Sequence, residues 1–165
     1  MTPPTGRRGS VPPDVRAARR KTTLVVFGAL GGVAAFAAFV ASQVSFDTID
    51  ADRSATPREQ AFLGAAAALV VASSLVGRRM YADDLDHAAR VAGAVKYGVA
   101  SVACSEAAAL LGLAGVLLER SWDGWLTAAL GVLALLLAPV RFSVAFDRIA
   151  RDARDGAFEP PSARP

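Results

Sequence analysis

Residues 22–46 read TTLVVFGALGGVAAFAAFVASQVSF, twenty-five positions without one Asp, Glu, Lys or Arg. A helix rises about 1.5 Å per residue and needs about 20 residues to cross a hydrocarbon layer about 30 Å thick. The stretch is long enough, and it follows directly on Arg19, Arg20 and Lys21. Working outward, three more stretches resemble it. Residues 60–77 are uncharged between Glu59 and Arg78; residues 97–118 are interrupted only by Glu106; residues 124–140 are uncharged, and the apolar run resumes past Arg141 to Phe146. A chain of 165 residues with 20% charged positions has too little polar surface to hide four such stretches from water. The expected fold is therefore all-α, an integral membrane four-helix bundle with helices at about 22–46, 60–77, 92–118 and 124–146. Residues 1–21 and 147–165 are expected to be tails, the first of them basic and mobile.

Charge on alternate sides sets the expected topology. The N-terminal tail, the segment 78–96 and the C-terminal tail together carry fourteen Lys and Arg, against three (Arg53, Arg58 and Arg120) in the two opposite loops. The positive-inside rule then puts both termini in the cytoplasm. Trp122 and Trp125 fall at the outer edge of the fourth helix, where indole rings favour the interface, and Arg141 anchors its inner end by snorkelling. A cleaved signal is not expected, because the first apolar run is longer than a usual signal core. Arginine outnumbers lysine sixteen to two and alanine is abundant, a composition associated with GC-rich bacterial genomes. The expected location is thus a bacterial cytoplasmic (inner) membrane. Basic residues beside apolar spans argue against nucleic acid and for anionic lipids of the inner leaflet.

Lipid tails are as apolar as leucine, so helices associate in a membrane by close packing of small residues and by shared polar contacts. Gly28 and Gly32 form a small-xxx-small pair in the first helix. In the third, Gly98, Ser101, Ser105, Ala108, Gly112 and Gly115 follow alternating steps of three and four, a continuous seam for a neighbouring helix. The short link from Glu119 to Asp123 makes helices three and four antiparallel neighbours.

Glu106 lies ten positions past Lys96, hence about 15 Å into the hydrocarbon, at its midplane. A charge there costs at least about 2.5 kcal/mol, which favours the protonated, hydrogen-bond-donating acid and makes an intramembrane carboxylate a functional candidate. With Ser105 and Ser101 it forms the candidate proton, ion or interhelical hydrogen-bond site. Glu106 points about 130° away from the centre of the small-residue seam, on the face of Val102, Leu110, Leu113 and Leu117, so the first or fourth helix, or another subunit, must cover it.

The run Cys104-Ser105-Glu106-Ala107-Ala108-Ala109-Leu110-Leu111-Gly112-Leu113 resembles the carboxylate-bearing helix of the proteolipid c-type subunits of rotary ATP synthases. The resemblance covers about residues 97–118 and implies that Glu106 occupies the place of an ion-carrying carboxylate. It stops there: the first helix lacks that family's repeated alternate glycines, and the acid sits in the third of four helices.

Asp83, Asp86 and His87, in the segment before the third helix, are weak candidates for a divalent-metal site. The competing reading has Asp83 or Asp84 capping the helix and Asp86 pairing with Arg90. Cys104 is the single cysteine, and no catalytic motif for a zinc protease, phosphate loop or serine nucleophile is present. No cofactor is expected. The leading functional expectation is a non-enzymatic subunit or accessory component acting by helix packing, as a homo-oligomer or with a membrane-protein partner; the alternative is a proton- or cation-coupled transport subunit using Glu106.

Overall fold

The computed structural model describes residues 11–44, 56–79, 86–120 and 122–155. They form four helices: α1 (Pro13–Gln43), α2 (Pro57–Arg78), α3 (His87–Glu119) and α4 (Trp122–Arg154). Each is long and apolar enough to span a membrane. The chain is an all-α, four-helix membrane protein.

Local chemistry sets the helix ends. Pro13 stands in the first turn of α1, where its missing N–H costs no hydrogen bond. Thr56 and Glu59 close a capping box on α2: the Thr56 hydroxyl accepts from the Glu59 N–H at 3.2 Å, and Glu59 Oε2 accepts from the Thr56 N–H at 2.6 Å. Asp86 caps α3 by accepting from the Ala89 N–H at 2.7 Å. Arg120 then ends α3 in the left-handed region, φ 53°, a conformation that normally favours glycine.

Helix α3 is the centre of the bundle. It touches all three others, most extensively α4, while α1 and α2 each pack on both α3 and α4. Helix α4 shows which solvent its surface suits. Gly124, Ala128, Gly131, Leu135, Ala138 and Phe142 are buried, at steps of four and three. Leu126, Leu130, Leu133, Leu137, Val140 and Val144 repeat the same steps and are exposed. Four of the six inward positions are Gly or Ala and all six outward ones are Leu or Val, the order expected where lipid rather than water covers the outside.

The helices run further than the uncharged stretches. Helix α1 starts at Pro13 rather than near Thr22, and α4 continues to Arg154 rather than ending near Phe146. With the start of α3 these extensions form a basic end to the bundle into which the common core continues, through Val15, Ala18, Ala94, Phe146, Ile149 and Ala150. Ion pairs brace it from outside. Arg90 meets Asp152 at 2.8 Å, Arg19 meets Asp147 at 3.4 Å, and His87 Nε2 lies 2.8 Å from Asp14. The segment expected to be a mobile tail is therefore helical from Pro13 to Lys21, because one apolar stripe is enough to hold a helix whose other faces meet water. Residues 1–10 and 156–165, also expected to be tails, and Asp83 lie outside the described residues.

Candidate functional site

Two polar groups sit within the membrane-spanning part of α3, on different faces. Ser101 and Ser105 are buried and face α2. Ser73 of α2 enters between them. Its hydroxyl lies 3.0 Å from the Ser101 carbonyl, 2.9 Å from Ser101 Oγ and 2.8 Å from Ser105 Oγ. In return Ser101 donates to the Ser73 carbonyl at 3.0 Å, and Ser105 donates to the Ser101 carbonyl at 3.0 Å. Three hydroxyl protons serve five short contacts, so each is already engaged with protein. Such a trio fixes the register of α2 on α3; interhelical hydrogen bonds of this kind contribute about 0.6 kcal/mol each on average.

Glu106 stands apart from them. Its face of α3 meets α1: Gly32 approaches Glu106, and Phe36 lines an open apolar groove with Ala107, Leu110, Leu111 and Ala114, while Val102 and Leu113 on the same face are fully buried and Leu110 partly so. The carboxylate itself is half-buried against Gly32, where a Cβ would stand 3.5 Å from Oε1. Among the described residues Glu106 has no hydrogen-bond or ion-pair partner. The expected grouping of Glu106 with Ser105 and Ser101 therefore separates into a serine contact with α2 and a lone carboxylate at the α1–α3 seam.

The rest of the α3 seam lies in the interior. Gly98 sits under the Phe142 ring, Gly112 against the α4 backbone at Gly124 and Ala128, and Gly115 beside Gly124, while Ala108 is fully buried. The glycines of α1 are placed differently. Gly28 and Gly31 have open space where a side chain would be, and Gly32 meets only Glu106. Helix α1 packs instead through Val26, Ala29 and Val33, because β-branched and alanine side chains on that stripe fill the α3–α4 groove. Of this pair Gly28 faces open space, and Gly32 alone lies at the contact of α1 with α3.

The remaining candidates are distributed along the two ends. Trp122 is exposed at the start of α4 and Trp125 packs partly against the core. Arg141 does not simply turn outward: its guanidinium reaches 3.9 Å from where a Gly77 Cβ would be, beside Ser101. Asp86 is the cap of α3 and does not pair with Arg90, whose guanidinium goes to Asp152; His87 goes to Asp14. Burial pushes the Asp14 carboxyl up, but the hydrogen bond to His87, the Val15 N–H and the imidazole's charge outweigh it and hold the group below its ordinary 3.8. Among the described residues no three His, Cys, Asp or Glu side chains gather as metal ligands.

Sequence reasoning passed over Glu59, which is buried at 5% exposure in the first turn of α2. The signal was there in Thr56-Pro57-Arg58-Glu59, a Thr-x-x-Glu capping box ahead of an apolar run. It also passed over the small-residue stripe of α4, the counterpart of the α3 seam. No protein-family model matches the chain, and neither a curated protein nor a solved structure matches it.

Proposed function

We propose that this chain is a small non-enzymatic subunit of a bacterial cytoplasmic membrane, with both termini cytoplasmic, that works by packing its helices against a second copy or a partner membrane protein. The observation that carries the reading is how the buried hydroxyls are used. Ser73, Ser101, Ser105 and Thr127 are all engaged by protein groups, which supports a framework rather than a reaction centre. The excess of Lys and Arg at the basic end supports the orientation. Light scattering of the purified chain in mild detergent, with photo-crosslinkers at the exposed Leu24, Leu75 and Leu133 in native membranes, tests it. A stable oligomer or one reproducible partner is expected; a monomer without crosslinks would refute it.

A second reading rests on the unpartnered Glu106 and on the likeness of its helix to ion-carrying proteolipid helices: a proton- or cation-coupled transport subunit. Glu106→Gln separates the two. A packing role leaves assembly intact, whereas a transport role requires loss of pH-dependent flux in reconstituted vesicles while the fold survives.

A further inference from the structure

Two stripes run down α1 on opposite sides. Val15, Ala18, Thr22, Val26, Ala29 and Val33 are buried. Pro13, Arg16, Arg20, Leu24, Phe27 and Gly31 have the same spacing, displaced by two residues, and are exposed. A two-residue displacement is about 200° of helix rotation, so the second stripe faces directly away from the bundle. At its basic end, Pro13, Arg16, Ala17, Arg20, Lys21 and Leu24 line one open groove. Arg19, one step round the helix, is taken by Ser143 and Asp147 of α4. Arg16 donates only to the Val11 carbonyl, at 3.2 Å, and among the described residues Arg20 and Lys21 have no partner.

Below the cations the same face turns apolar within one turn. Leu24 and Phe27 are 62% and 65% exposed, and Gly28 and Gly31 leave a shallow track with nothing within 4 Å. Three positive charges at the edge of the apolar span, above a smooth apolar track, match an amphiphile with an anionic head and an alkyl chain.

We propose that this outward face of α1 is a binding site for an acidic phospholipid. Its phosphate meets Arg16, Arg20 and Lys21, and one acyl chain lies along Leu24, Phe27, Gly28 and Gly31. The site rests on α1 spanning the membrane, and neither the helix-packing function nor the orientation of the termini enters it.

The experiment is native mass spectrometry of the full chain in mild detergent, titrated with phosphatidylglycerol or phosphatidylcholine. The native chain is expected to prefer phosphatidylglycerol. Each cation near a membrane surface is worth a factor of about five, so R16Q/R20Q/K21Q should weaken phosphatidylglycerol binding about a hundredfold and leave phosphatidylcholine unchanged. G28L/G31L, which keeps every charge and meets no protein atom at the added Cβ, should weaken it severalfold. R78Q/R79Q, removing charge from the end of α2, should change it by less than about twofold. Thermal melting checks the fold, and K21Q alone, expected to lose about fivefold, serves if the triple variant does not fold. Equal binding of the two lipids, an equal loss in R78Q/R79Q, or displacement of the lipid by millimolar inorganic phosphate would overturn the proposal.

Discussion

Adding one methyl group to each glycine in turn should separate the helix contacts that hold this bundle from the surfaces that do not. At Gly112 a Cβ would stand 2.7 Å from the Gly124 carbonyl oxygen and 2.9 Å from Ala128 Cα, and closer still to the Ala128 nitrogen. All three are backbone atoms of α4, so no side chain can swing aside and the helices must part. The opening would spread to the neighbouring contacts of Gly124 with Val116 and of Gly131 with Ala109, each with approaches below 3.0 Å. Overpacking of this kind costs about 1–3 kcal/mol, and more where rigid groups collide; alanine's better helix propensity returns about 1 kcal/mol. Gly112→Ala, Gly124→Ala and Gly131→Ala are therefore expected to lose about 2 kcal/mol each. Gly115→Ala, whose Cβ would be 3.9 Å from Gly124 Cα, should be neutral or slightly stabilising. Gly28→Ala and Gly31→Ala, with nothing within 4 Å, should gain up to about 1 kcal/mol. The assay is thermal unfolding in detergent followed by tryptophan fluorescence, since Trp125 packs against the core next to Gly124 in α4. At about 2–4 °C per kcal/mol for a chain of this size, the two groups should differ by roughly 5–10 °C. A Gly112→Ala protein melting with the wild type, or a Gly28→Ala protein falling as far as Gly112→Ala, would refute the reasoning.

Ser73→Ala removes the hydroxyl that joins α2 to both serines of α3, and should cost about 1 kcal/mol in the same assay, with Ser73→Thr closer to wild type. Asp152→Ala removes the carboxylate 2.8 Å from Arg90, whose side chain is only 9% exposed, and should lose about 1 kcal/mol in the same assay. Because Asp14 has its pKa lowered in the folded chain, its contribution is fully present above the unfolded value of 3.8 and disappears as pH falls through the lower folded value. The carboxylate is 48% exposed, so the effect is a few tenths of a kcal/mol, read as a shallower acid limb in the melting profile of Asp14→Asn below about pH 4.

How much of this was legible in the sequence depended on whether one residue type determined the answer. The four spans follow from the absence of charge, and the α3 seam from alternating steps of three and four among Gly98, Ser101, Ser105, Ala108, Gly112 and Gly115, all of them buried. The extent of α1 was not legible by that criterion, since Asp14, Arg16, Arg19, Arg20 and Lys21 look like a solvated tail. Only Val15, Ala18 and Thr22, read as a stripe, show that the helix continues. For Gly28 and Gly32 the neighbour was not legible, because a pair of small residues permits close approach without specifying which helix uses it. Pairing across helices was beyond reach as well. Arg90 had Asp86 one turn away, but Asp86 was already committed to capping α3, which freed Arg90 for Asp152 on a helix more than sixty residues distant.

Helix α1 passes from one solvent to another, and its residues change accordingly. From Pro13 to Lys21 its outward face carries Arg16, Arg20 and Lys21, which are stable only where water or anionic headgroups are within reach; from Leu24 onward the same face carries Leu24 and Phe27, which suit hydrocarbon. The inward stripe crosses that boundary without changing type, from Val15 through Val26 to Val40, because protein covers it at every depth. Glu106 is the exception within the hydrocarbon part, a carboxylate placed where the α1–α3 seam meets the exposed glycine face rather than in the hydroxyl network on the α2 side. A purely structural polar group would be best served among Ser73, Ser101 and Ser105, where hydrogen-bond partners already converge. Placed beside Gly32 instead, it is half-buried and has a glycine that leaves it room. That position is what makes Glu106→Gln the more informative substitution than any change in the serine trio, since it replaces the carboxyl by an amide while keeping the shape.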